Sequence, residues 1–195
     1  MDATCPDVKR VQDKAKNLAE EGYRVVIIGK ADHPEVIGIK ACADLYSNEE
    51  AIVISSVNEA LVNIEKIKQA KKIGIVIQTT QKSENFKKIL PIIAESSKEL
   101  KVHNTICSTT FKRQQEAQAL AKEVELMVVV GSKSSANTTN LAEILSEITK
   151  TIHIEGPEEL DLYEDLLEKI NKIGVTAGAS TPESVINEVI NRIGD

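Results

Sequence analysis

The sequence predicts an α/β protein built as two tandem pseudo-symmetric lobes, each a small parallel sheet flanked by helices. Three observations lead there. A shift of 102 positions lays Cys5 on Cys107 and the apolar run Val25-Val26-Ile27-Ile28-Gly29 on Met127-Val128-Val129-Val130-Gly131. A shift of 100 lays Lys72-Ile73-Gly74-Ile75-Val76 on Lys172-Ile173-Gly174-Val175-Thr176. Short apolar runs alternate with amphipathic segments throughout, and that order gives parallel strands with helices on both faces.

The elements follow in order. Residues 8–21 and 113–123 are rich in Ala, Leu, Lys, Glu and Gln, with apolar positions at helical spacing. Each segment leads to an apolar strand closed by Gly29 or Gly131. Ile52-Val53-Ile54 and Ile152-His153-Ile154 make a further strand pair. The runs at 72–76 and 172–176 end in small polar loops, Gln78-Thr79-Thr80 and Ala177-Gly178-Ala179-Ser180. Helices over 83–96 and 182–193 follow, and Pro182 suits a first helical turn. The repeat divides the chain into lobes 1–97 and 98–195, and swapping of the first lobe's last helix is compatible with it. A strand over 100–104 precedes the Cys107 loop and has no counterpart before Cys5. The first copy is therefore expected to have an open sheet edge, filled by another element or by residues ahead of Met1.

Composition excludes several function classes. The net charge is −6, aromatics make up 3% and Trp is absent. Neither phosphate neutralisation nor base stacking has the residues it needs, so no nucleic-acid partner is expected. MDATCPDVKR lacks an apolar targeting core, and no run is long enough to span a bilayer. The expectation is a cytoplasmic protein without a membrane partner. Cys5, Cys42 and Cys107 are then core residues, reactive thiols or metal ligands rather than a disulfide framework.

In doubly covered parallel sheets, ligands bind beyond the carboxyl ends of the strands. Cys5 and Cys107 occupy matching loops there and are expected to face a common point. Converging thiolates suggest a metal or an iron–sulfur cluster; two buried cysteines at helix starts are the plain alternative. Cys42 falls on Ile144 under the same shift and reads as core. His33 falls on Ser135 and Glu35 on Asn137. His and Glu two residues apart suit proton transfer. Ser134, Ser135 and Asn137 suit either a helix cap near Thr139 or an anion at a helix start. Asp32-His33-Pro34 also reads as a turn. His103 and His153, in or beside strands, read as structural. No Walker A sequence, dinucleotide fingerprint or nucleophile elbow is present.

Taken together, these strings resemble the 4-hydroxy-3-methylbut-2-enyl diphosphate reductases of the LytB family. The matching strings are Asp2-Ala3-Thr4-Cys5-Pro6, His33-Pro34-Glu35-Val36, Gln78-Thr79-Thr80, Thr105-Ile106-Cys107 with Arg113-Gln114, Gly131-Ser132-Lys133 through Asn137, and 174–180. They stand in family order across the whole chain.

The resemblance implies three similar lobes around a 4Fe–4S cluster, each giving one Cys, with an open iron for the substrate hydroxyl. It implies reductive dehydroxylation to isopentenyl and dimethylallyl diphosphates, with a reduced ferredoxin or flavodoxin as electron donor. By that resemblance Cys5 and Cys107 are two cluster ligands, the third Cys having no place in this chain. Glu35 is the proton relay, assisted by Thr79. His33, Ser135, Asn137 and Ser180 are diphosphate contacts, and Thr110 lies near the cluster. The sequence matches the second and third lobes; the first, with its Cys and two further His, has no counterpart. Ala136 and Ser134 replace the family's usual Ser and Asn. Three readings stay open: part of a reductase, a split enzyme whose first lobe is a separate chain, and a non-catalytic remnant that binds a diphosphate or a partner.

Overall fold

Strands buried on both faces read as unbroken apolar runs, and the central strands of this protein do so. The computed structural model describes residues 4–194. Asp2 and Ala3, at the head of the first Cys string, lie outside them. Two compact units divide between Cys107 and Ser108.

The first unit begins with helix α1 (Pro6–Glu20), with Cys5 at the N-cap position, where its side chain makes no capping hydrogen bond, and Pro6 opening the first turn. Strand β1 (Arg24–Ile28), helix α2 (Pro34–Asp44) and strand β2 (Ile52–Ile54) follow. Short helices α3 (Val57–Val62) and α4 (Ile64–Gln69) lead to β3 (Ile73–Ile77), α5 (Ser83–Ser96) and β4 (Leu100–Val102). The sheet order is β2-β1-β3-β4, with every pair parallel. Alternation along β1 sends Val25 and Ile27 to one face, against Val11, Leu18, Val36 and Ile39 of α1 and α2. Val26 and Ile28 face the other side, with Ile67, Ile89 and Ile93 of α4 and α5. All five residues of β3 are buried. Truncating any one of these isoleucines to Ala would cost about 2–5 kcal/mol.

The second unit repeats the plan. Helix α6 (Ser108–Ala121), strand β5 (Leu126–Val130), helix α7 (Ala136–Ser146) and strand β6 (Lys150–Ile154) come first. A 3-10 helix (Pro157–Tyr163), α8 (Glu164–Leu167), β7 (Ile173–Ala177) and α9 (Glu183–Gly194) complete it. The described sheet order is β6-β5-β7, again parallel. Met127 and Val129 pack on α6 and α7. Leu126, Val128 and Val130 pack on the 3-10 helix and α9.

Two expectations change. The strand at 100–104 does not open the second lobe: β4 pairs with β3 and completes the first sheet, so that unit runs past the expected division at 97/98. Helix α5 stays on its own sheet, with Ile89 and Ile93 in its core. The open edge expected in the first copy is thereby filled, and the three-strand sheet belongs to the second unit. The reason is that the β4 chain continues the ladder beyond its last strand residue. His103 N–H donates to Ile75 O at 2.9 Å. The buried Thr105 hydroxyl then accepts from Ile77 N–H at 2.8 Å and donates to Ile77 O. One hydroxyl thus satisfies both groups at the end of β3.

Thr105→Val keeps the shape and removes that hydroxyl. It is expected to lower unfolding stability by about 1–3 kcal/mol in urea titration, with Thr105→Ser recovering most of the loss.

Candidate active site

In the first unit the candidate residues gather where β1 and β3 end. His33 caps α2, its Nδ1 accepting from Glu35 N–H at 3.2 Å. The cap places Glu35 in the first helical turn, where a carboxylate is favoured by the helix dipole. Thr79, buried at the end of β3, holds that carboxylate twice. Its N–H donates to Glu35 Oε1 at 2.7 Å and its Oγ1 donates to Oε2 at 2.9 Å. The Thr79 carbonyl accepts from Cys107 N–H at 2.9 Å. Beneath them Gln78 is buried and braces the neighbouring loop, its Oε1 accepting from Lys30 N–H at 3.0 Å. A single strand end therefore fixes the candidate acid and the backbone of one candidate thiolate.

Cys5 sits at the start of α1. That helix runs antiparallel to the strands it feeds, so Cys5 lies at the same carboxyl end of the sheet. Cys5 is exposed, Cys107 half-buried, and both thiols are free. Cys42 is also free but lies about two turns into α2, away from the strand ends.

In the second unit Gly131 turns the chain after β5 with φ of 138°, a conformation that side chains strain to adopt. The turn leads to Ser135, which caps α7 and accepts from Thr138 N–H. The helix starts at Ala136, earlier than the expected start near Thr139. A cavity of about 180 Å³ opens here, lined by Gly131, Ser132, Ser135, Glu155, Ser180 and Thr181 among others. Gly178 packs so closely on Thr138, one of the lining residues, that a Cβ there would stand 2.1 Å from Thr138 Oγ1. The Lys133 amide already binds a carboxylate oxygen, Glu155 Oε1, at 2.8 Å. That bond, joined by Ser132, holds the Glu155 carboxyl below its usual range. Lys133 Nζ pairs with Glu159, lowering that carboxyl and raising the lysine.

The structure thus brings His33, Glu35, Thr79 and the Cys107 backbone together, and it places Ser135 and Ser180 on one cavity. Thr110 is buried in the first turn of α6, and Asn137 is half-buried in that of α7; neither lines that cavity. Asn137 Nδ2 is buried with no hydrogen-bond partner among the described residues. His153, which reads as structural from its place in a strand, bonds to the backbone of a loop. Its Nε2 donates to Gly131 O at 2.8 Å, which fixes the proton on that nitrogen. Only its place beside Ile152 and Ile154 hinted at this, because the partner lies on the neighbouring strand's loop. His103 remains structural: burial first, then Lys14 and Lys101, push its pKa down, and Lys14 Nζ donates to its Nδ1.

Thiols of Cys5 and Cys107 match a soft iron–sulfur centre in kind. Their number falls short, since no group of three or more His, Cys, Asp or Glu suited to a metal exists among the described residues.

Comparison with known proteins gives consistent results. A family model described as LytB protein matches residues 1–194. The 4-hydroxy-3-methylbut-2-enyl diphosphate reductase of Geobacter sulfurreducens is 45% identical over 194 residues, covering 99% of this chain and 65% of that protein. Its counterpart in Clostridium perfringens is 46% identical, covering 98% and 64%. The chain therefore spans about two thirds of the length of the curated relatives it matches. A solved reductase from Plasmodium falciparum superposes with a TM-score of 0.86 at 27% identity, covering 98% of this chain and 58% of that one. Another solved reductase, described as the terminal enzyme of the non-mevalonate pathway, gives 0.62 at 41% identity, covering 100% and 67%.

A buried donor without a partner costs about 1–3 kcal/mol. Asn137→Ala is expected to unfold at a higher urea concentration than the parent. A lower midpoint would show that the amide is satisfied.

Proposed function

The chain belongs to the LytB protein family, and on that premise we propose that it forms two of the three lobes of a 4-hydroxy-3-methylbut-2-enyl diphosphate reductase. The reaction removes the substrate hydroxyl as water with two electrons and two protons. Isopentenyl and dimethylallyl diphosphates are the products. The observation that carries this reading is the Glu35 carboxylate, held by Thr79 beside the Cys107 loop.

A hydroxyl leaves as water only if a proton reaches its oxygen, and Glu35 is the proposed donor. Thr79 N–H fixes one carboxylate oxygen and leaves the other facing a hydroxyl. That hydroxyl donates to a carboxylate and accepts from a carboxylic acid. Thr79 therefore keeps its hydrogen bond in either charge state of Glu35, and a proton can leave without stranding an oxygen. His33 is a proposed diphosphate contact in the first unit. Ser135, Asn137 and Ser180 are the proposed contacts in the second. The Lys133 amide supports this role, since it already binds an anionic oxygen from Glu155. An anion at the start of α7 is also favoured by the helix dipole.

Cys5 and Cys107 are the proposed thiolate ligands of a 4Fe–4S cluster, with the third thiolate supplied from the remaining lobe. When bound, the cluster supplies electrons and an open iron to the substrate. Reduced ferredoxin or flavodoxin is the proposed electron donor. Cytoplasmic residence fits this chemistry, and no described helix is long and apolar enough to cross a membrane.

In the assembly completed with the remaining lobe, Glu35→Gln is expected to bind substrate within about twofold of the parent. Its kcat should fall by about 10²–10⁴, the usual worth of a positioned acid. Turnover equal to the parent would remove Glu35 from the proton path.

A further inference from the structure

The two units differ most at one place, the outer side of the strand that follows their central strand. In the first unit β4 lies along β3, and all five β3 residues are buried. In the second unit no described strand lies outside β7, and Ile173, Val175 and Thr176 are only half-buried. A groove of about 380 Å³ runs there, lined by Arg113, Ala117, Leu120, Val175, Ala177 and Ile186 among others. Its walls are α6 and α9. These are the repeat equivalents of α1 and α5, which flank β4 in the first unit. Leu100 packs against the core that Ile89 and Ile93 of α5 help to form, and Lys101 pairs with Glu21 at the end of α1.

The backbone carries the same message. Lys72 O and Gln78 N bond toward β1, so the odd-numbered residues of β3 face β4. Lys172 O and Gly178 N bond toward β5 in the same way. Ile173, Val175 and Ala177 therefore direct their backbone groups into the groove. One of those groups is already taken by a side chain. Arg113 donates to Ala177 O at 2.9 Å, whereas the equivalent Ile77 O accepts from the Thr105 hydroxyl of the β4 chain. A guanidinium on a long stem stands where the first unit uses a following strand.

We propose that this groove is a docking slot for a fourth, parallel strand supplied by the part of the relatives' length that this chain does not span. The repeat sets the chemistry of the occupant. It is an extended segment with apolar residues at alternate positions, as Leu100 and Val102 are in β4. A hydroxyl residue three positions after the last of these replaces Arg113 at Ala177 O, as Thr105 follows Val102. The curated relatives leave about a third of their length outside the match, ample for such a strand. An open edge of this kind is also a site for unwanted pairing until it is covered. The inference rests on the repeat and is independent of the roles given to Cys5, Cys107 and Glu35.

The test co-expresses this chain with the segment of the Geobacter sulfurreducens reductase that lies outside its match. The two are expected to co-purify, with amide exchange at Ile173 and Val175 slowed at least tenfold in the complex. Val175→Pro removes an outward N–H without touching the β5 pairing, and it is expected to weaken the complex at least tenfold. Ile186→Lys, which places a charge in the groove wall, should do the same, while Leu162→Lys on the exposed 3-10 helix should not. Failure to associate would overturn the proposal. So would unchanged exchange at β7 in a complex that does form, or parent-like binding by both groove variants. Dimers of this chain alone that Val175→Pro abolishes would also overturn it, by making a second copy the occupant.

Discussion

Thr79 is the residue on which the first unit's candidate site depends. Its N–H and hydroxyl hold both oxygens of Glu35, and its carbonyl holds the Cys107 backbone. Those bonds have direction only because the chain below Thr79 cannot move. β3 is buried along its whole length, Gln78 N is tied to Ile28 O, and Thr105 closes the last ladder position. Core packing thus becomes side-chain geometry at the surface within two residues. A site that must hold a carboxylate and a thiolate in fixed relation needs support of this kind.

Duplication supplied one scaffold and two chemistries. Both units place a capping residue at the start of the helix after the central strand: His33 before α2 and Ser135 before α7. Two positions later stand Glu35 in one unit and Asn137 in the other. The first can carry a proton at its carboxyl group. The second offers only an uncharged amide, and its donor lies buried without a partner among the described residues. The same backbone plan therefore presents a carboxyl group once, the proposed proton donor, and an amide once, a proposed diphosphate contact. In that second loop the Lys133 amide donates to a carboxylate oxygen of Glu155.

Much of this was legible in the sequence because period and repetition are local properties. The central strands, the 83–96 helix and the Ile52–Ile54 strand were read directly from apolar spacing, and His33 paired with Ser135 by shift alone. Strand partnership is a different kind of information. Residues 100–104 look like a strand in either lobe, and only the crossover and the Thr105 hydroxyl assign β4 to the first sheet. The clamp of Thr79 on Glu35 joins residues 44 positions apart, which no spacing rule connects. The tie of His153 to Gly131 is hidden from the sequence for a related reason: its partner is a backbone carbonyl, which has no signature there.

In the proposed reductase Cys5 and Cys107 are cluster ligands, and Cys42 is not. The most direct measurement is Mössbauer spectroscopy after anaerobic reconstitution with ⁵⁷Fe and sulfide, using the assembly completed by the remaining lobe. A four-iron signal is expected in the parent and in Cys42→Ser, and it should vanish in the Cys5→Ser, Cys107→Ser double variant. An unchanged signal in the double variant, or its loss in Cys42→Ser, would rule out that ligand set.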